Sequence, residues 1–262
     1  MEFLTGFWAA HWQLAILLLC AVAFVAGFVD SIAGGGGLFL VPGFLLVGLP
    51  PQVALGQEKV VSTLGTIAAI RNFIQGSKIR VGVALMGIPF ALLGAYWGSR
   101  LILMVSNEAV ARIILCLIPV GIVIFLMPKG KAVQAHALSL AALYVLIPLT
   151  CLLVGFYDGF FGPGTGSLFI LAFHYICKMD MVTSSANAKS FNFASNIGSL
   201  VAFVMAGKIA YTLALPLVVF NVAGNHLGSQ FTLTRGDAFV RRMLVVSMMV
   251  LFVSLLFKYV IF

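Results

Sequence analysis

Two aspartates, each followed by a glycine-rich run, recur at matching places in an otherwise apolar chain. Asp30 closes Gly27-Phe28-Val29-Asp30 and leads into Gly34, Gly35, Gly36 and Gly37. Asp158 closes Gly155-Phe156-Tyr157-Asp158 and leads into Gly162-Pro163-Gly164-Thr165-Gly166. Carboxylates and bare backbone are both costly in hydrocarbon, so a repeated pairing of the two marks a candidate site. Glycine lets a ligand come close to main-chain N–H groups. A glycine run opening onto a helix N-terminus offers an anion free donors and the positive end of a dipole. The alternative is close helix packing, which glycine also serves in membranes. Neither run is a phosphate loop, because no Gly-Lys-Ser/Thr follows it.

Downstream of each run stands a lysine at the head of a polar stripe. Ser185, Lys189, Asn192, Asn196 and Ser199 follow one another at helical spacing and share one face; Lys59, Ser62 and Thr66 form the matching stripe in the first half. Lys59 and Lys189 would supply positive charge to an anionic substrate. Ser62, Thr66, Thr165, Asn192 and Asn196 would hydrogen-bond its oxygens. The competing readings are polar contacts between helices for the hydroxyls and amides, and snorkelling to headgroups for the lysines. Asp30 and Asp158 read either as proton-titrating or ion-pairing carboxylates, with a coupling or gating role, or as helix caps. His174 and His226 stand alone, without a second ligand at metal spacing, and no cofactor or metal site is expected.

Composition explains the setting. The chain has 262 residues, 62% hydrophobic and 8% charged, with a mean hydropathy of +1.16. A soluble domain carries roughly 25% charged residues, so lipid must be the solvent here. The net charge of +8 resides mostly in short loops, where it reports membrane orientation and not a nucleic-acid partner. Cys20, Cys116, Cys151 and Cys177 are scattered through apolar segments and read as packing residues. The first apolar run lacks a basic leader and a clear cleavage site, and is expected to be retained as a span.

The elements that must position the site are helices. Apolar segments are predicted at 12–29, 38–49, 54–75, 81–104 and 109–127, then at 137–157, 167–177, 183–206, 209–230 and 242–262. Residues 129–136 form a linker between a first repeat (1–128) and a second (137–262). Asp30 aligns with Asp158 and Gly34 with Gly162. After a two-residue shift, Lys59 aligns with Lys189, Lys78 with Lys208 and Gly98 with Gly228. The expected fold is therefore an all-α polytopic membrane protein made by internal duplication. Each repeat has about four full spans plus a short half-helix or re-entrant segment after its glycine run. Those short segments could rise only about 18 Å as helices, against a hydrocarbon core of roughly 30 Å. A pair of this kind points to a transporter's binding site.

If the short segments cross, the halves are inverted. Ten of the 15 Lys and Arg then fall on one side, including Arg71, Lys78, Arg80, Lys129, Lys131, Arg241 and Arg242. The positive-inside rule places that side in the cytoplasm and both termini outside. If they are re-entrant, the count is nearly even.

Taken together, residues 27–37, 155–167, Ala188-Lys189 and Asn192 to Asn196 resemble the TauE/SafE family of sulfite exporters, and the resemblance covers nearly the whole chain. It implies secondary transport of small sulfur-containing anions such as sulfite or sulfonates across a bacterial inner membrane, with proton coupling open. Pro163 and Thr165 interrupt the second glycine run, so the two half-sites cannot be identical. A passive anion channel and an intramembrane enzyme are the alternatives. The enzyme reading lacks the Gly-x-Gly-Asp partner that an aspartyl protease would need beside Tyr157-Asp158.

Overall fold

The structure, a computed structural model, describes residues 10–114, 116 and 140–260. The linker expected at 129–136, with Lys129 and Lys131, lies outside the described residues. Every regular element among them is helical. In chain order these are α1 (Trp12–Ala33), α2 (Gly37–Leu46), α3 (Pro51–Gln75), α4 (Val81–Leu103), α5 (Leu140–Phe160), α6 (Thr165–Ile176), α7 (Met181–Met205) and α8 (Tyr211–Val260). A further helical stretch covers 107–114.

The polar and apolar surfaces are arranged for lipid. Lys59 and Lys189 are 1% and 0% exposed, whereas Leu17, Leu85 and Leu215 are 67%, 66% and 75% exposed. Water would reverse that order. Among the described residues, three helices are long and apolar enough to cross a membrane: Trp12–Ala33, Val81–Leu103 and Leu143–Phe160. α3 and α7, with 25 residues each, rise about 37 Å and are as long as spans. Their lower hydropathy reflects the buried polar residues they carry. α2 and α6, with 10 and 12 residues, rise only about 15 and 18 Å.

Packing joins one half of the chain to the other. α1 lies along α8 and α5 along α4, while α3 and α7 meet at the centre. Glycines make these contacts close. A Cβ on Gly94 would overlap Leu152 O, and one on Gly98 would overlap Phe156 O; a Cβ on Gly224 would overlap Phe24 O, and one on Gly228 would overlap Phe28 O. The polar ties match in the same way. Asn107 Oδ1 accepts the Gln52 N–H at 3.2 Å, and Asp237 Oδ1 accepts that of Val182 at 3.0 Å. Asn187 Oδ1 accepts the Arg80 N–H at 3.0 Å, and Gln57 Oε1 accepts that of Ala210 at 3.2 Å.

Two expectations are corrected. Asp30 and Asp158 do not follow their helices but lie in the last turns of α1 and α5. α3 starts earlier than residue 54, because Pro51 at its first position is preset for a helix. The last two predicted segments are two helical stretches within Tyr211–Val260 that meet in a kink at Gly236, where φ +69° and ψ −165° are not helical. Arg235, Asp237, Arg241 and Arg242 interrupt the apolar pattern at and just beyond that break.

Candidate functional site

α3 and α7 carry their lysines into the centre of the molecule, and each finds its partner in the opposite half of the chain. Lys59 Nζ lies 2.9 Å from Asp158 Oδ1 and 3.0 Å from Glu58 Oε2. Lys189 Nζ lies 2.6 Å from Asp30 Oδ2. None of these five side chains is more than 9% exposed. Snorkelling is excluded for both lysines. Such pairs hold only because each charge has a close partner, since an uncompensated buried ion costs several kcal/mol.

Asp30 combines two of its expected roles. Its Oδ1 accepts the N–H groups of Gly35 and Gly36 at 3.1 and 3.2 Å, while its Oδ2 takes Lys189. These donors offset its unfavourable place at the negative end of α1. Asp158 does not repeat the arrangement. Pro163 stands where the first half has Gly35, and proline has no N–H to give. Asp158 Oδ2 has no hydrogen-bond partner among the described residues.

The two glycine runs touch. Gly34 has φ +68°, and a Cβ there would sit 2.5 Å from Ser167 N and overlap Gly166; a Cβ on Gly166 would sit 2.5 Å from Gly34 Cα. Only glycine permits this approach. Ser167 Oγ ties the runs together by donating to Ala33 O at 2.8 Å and Gly34 O at 3.1 Å. Ser185 Oγ adds a bond from α7 to Ile32 O at 3.0 Å. Gly162, with φ +89°, leaves room for the lysine: a Cβ there would lie 2.9 Å from Lys59 Nζ.

The other predicted residues divide into engaged and unengaged groups. Ser62 donates to Glu58 Oε1 at 2.8 Å, and Thr165 donates to Gly162 O. Asn196 Nδ2 donates to Asn192 Oδ1 at 3.4 Å. Thr66 Oγ1, Asn196 Oδ1 and Ser199 Oγ are buried without a partner among the described residues. Gly34 donates its N–H to Asp30 O, so the N–H groups of Gly34, Gly35 and Gly36 are all spent on Asp30. Gly162 spends its own on Tyr157 O. Free main-chain donors are then those of the first helical turns, at Gly37 on α2 and Gly166 on α6, and that of Gly164 just before α6. The anion cradle expected from all the glycines contracts to these.

Glu58 was missed from sequence. It occurs in one half only, with Ala188 at the matching position, so the internal comparison passes over it. Its place beside Lys59 was the available signal. Ser167 was missed too, although it directly follows the second glycine run.

Comparison with known proteins finds a family of membrane transporters. The model of one family, "Sulfite exporter TauE/SafE", matches residues 19–255. "Probable membrane transporter protein YfcA" of Escherichia coli (strain K12) is 34% identical over 241 residues, covering 92% of this chain and 89% of the relative. "Probable membrane transporter protein" of Haemophilus influenzae is 33% identical over 240 residues, covering 89% and 91%. "Probable membrane transporter protein ORF9" of a Sinorhizobium species is 30% identical over 244 residues, covering 92% of each. No solved structure matches the chain.

Proposed function

The chain belongs to the sulfite exporter TauE/SafE family and is a multi-pass membrane transporter; from that premise we propose that it carries small sulfur-containing anions, such as sulfite or organosulfonates, by alternating access. The substrate site lies between two inverted repeats, 1–128 and 137–262, where the glycine breaks meet. The exchange of ion-pair partners between the halves carries this reading. Lys59 with Asp158 and Lys189 with Asp30 are held only while the halves are together. Rocking one half against the other would separate each ammonium from its carboxylate and offer it to an oxyanion. The matched glycine contacts and matched caps support duplication; with the short helices counted as crossings, each repeat crosses an odd number of times, which would invert the halves and leave both termini outside.

In this closed form the lysines serve the aspartates, so substrate must compete for them. The partnerless oxygens of Thr66 and Ser199 and the first-turn N–H groups at Gly37 and Gly166 complete the set of donors. Export is the natural direction for an uncoupled anion: a monoanion leaving a cell at about 100 mV, inside negative, gains about 2.3 kcal/mol. The test is counterflow of labelled sulfite, thiosulfate, sulfoacetate and sulfate in proteoliposomes. A carrier gives saturable exchange for at least one of them. Linear, non-saturating flux would instead indicate a channel, and no flux of any would remove the substrate class.

A further inference from the structure

The central charges do not balance. Three carboxylates (Asp30, Glu58, Asp158) face two ammonium groups (Lys59, Lys189), and all are buried. The excess lies in one half of the site. Asp30 and Lys189 form a one-to-one pair with two backbone donors added, whereas Glu58 and Asp158 share Lys59 alone. Hydrogen bonding shows the same shortfall. Glu58 Oε1 has Ser62 and Glu58 Oε2 has only the ammonium of Lys59, which it shares with Asp158, while Asp158 Oδ2 has no hydrogen-bond donor among the described residues. A bare acceptor beside a shared ammonium, with one uncompensated negative charge, is remedied by a single added proton.

We propose that Glu58, backed by Asp158, is the site of a proton carried together with the anion. The proposal rests on the transport reading above and deepens it. Glu58 is placed for the task. A Cβ on Gly37 would lie 3.4 Å from its Oε1, and one on Gly162 would lie 3.6 Å from its Oε2. It therefore stands between the start of α2 and the break before α6, against both moving parts. The other ionisable groups around it are few. α2 carries none and α7 only Lys189; Tyr157 on α5 turns its hydroxyl to Pro163 O; His174 on α6 is engaged by Met179 O; and His226 on α8 meets Asn72, about four turns along α3. Among the described residues, Lys59 and Asp158 are the charged groups that act on Glu58.

The step balances simply. A proton from the aqueous side adds to the Glu58 carboxylate, no other bond changes, and Lys59 is left with one carboxylate instead of two. The ammonium can then turn to an arriving oxyanion. On the far side the anion leaves, Lys59 returns to Glu58, and the proton is released. Because binding linkage is reciprocal, each ligand raises the affinity for the other. A monoanion moving with this proton carries no net charge and does not feel the membrane potential.

The test reads the proton itself. Infrared difference spectra of the reconstituted protein, taken from mildly acidic to mildly alkaline pH, should show a protonated carboxylic acid C=O stretch that disappears on alkalinisation. Glu58→Gln should abolish it, Asp30→Asn should leave it, and Glu58→Asp should shift it. Glu58→Gln still leaves Lys59 paired with Asp158, so folding is expected to survive. In vesicles holding a pH dye, thiosulfate (which does not itself titrate in this range) should move with protons. Its apparent affinity should weaken about tenfold per pH unit above the release of the proton and become flat in Glu58→Gln. A wild-type protein with no titrating acid band, a band that survives Glu58→Gln, or anion flux that follows sodium without proton movement would each overturn the proposal. If the band behaves as stated but no sulfur anion moves, the substrate class fails and the proton site stands.

Discussion

Removing one lysine should damage the protein by an amount set by how many carboxylates it leaves behind, and that amount differs between the two halves. Lys189→Met strands Asp30 alone, which keeps its bonds from the Gly35 and Gly36 N–H groups. Breaking a buried pair from one side costs about 3–5 kcal/mol, and the retained donors put this variant near the lower end. Lys59→Met strands both Glu58 and Asp158, two like charges in one dry site, and belongs at or above the upper end. On a chain of this size that corresponds to roughly 6–20 °C in melting temperature across the two variants. Rescue should follow the same arithmetic. Asp30→Asn added to Lys189→Met should return stability to within about 1 kcal/mol of the parent, because a neutralised pair of similar shape is tolerated. Asp158→Asn added to Lys59→Met should rescue only in part, and Glu58→Gln must be added to complete it. The assay is thermal unfolding of detergent-purified protein at alkaline pH, which favours the ionised form of the carboxyls. Full rescue of Lys59→Met by Asp158→Asn alone, or equal costs for the two lysines, would refute the reasoning.

Further outcomes follow from single contacts. Gly34→Val should prevent the glycine runs from meeting, since its Cβ would overlap Gly166, and should abolish flux and lower stability; Gly164→Ala meets no neighbour and should cost only the about 1–2 kcal/mol of a left-handed backbone, read by the same melting assay. Ser167→Ala leaves Ala33 O and Gly34 O without their donor and should cost about 1–3 kcal/mol while slowing counterflow. Asp180→Ala removes the N-cap of α7, where the carboxylate accepts the Thr183 N–H and hydroxyl at 2.8 and 2.7 Å, and should cost about 1 kcal/mol without changing substrate affinity.

How far the site could be read from sequence depended on whether a feature appears twice. The short helices α2 and α6, the buried lysines and the aspartates stand out because the second half repeats them against an apolar background. Which aspartate meets which lysine is not in that signal. Internal alignment places Asp30 with Lys59 and Asp158 with Lys189 in their own halves, whereas the packing of α1 on α8 and α5 on α4 crosses the partners. Glu58 appears once, so comparing the halves hides it. The donors available to an anion were overcounted for a related reason. A glycine run shows which backbone can be approached, but not that Asp30 already occupies the N–H groups of Gly34, Gly35 and Gly36. Pro163 did carry information about asymmetry, and its missing N–H is why Asp158 keeps a bare oxygen.

The most direct measurement is saturable counterflow of a labelled sulfur oxyanion in proteoliposomes holding either the parent protein or the charge-neutral double variant Asp30→Asn/Lys189→Met, with melting temperature confirming that both are folded. The central claim predicts exchange by the parent and its loss in the folded double variant, because the oxyanion has lost one of the two cations that replace its water. Undiminished exchange in that variant would contradict it.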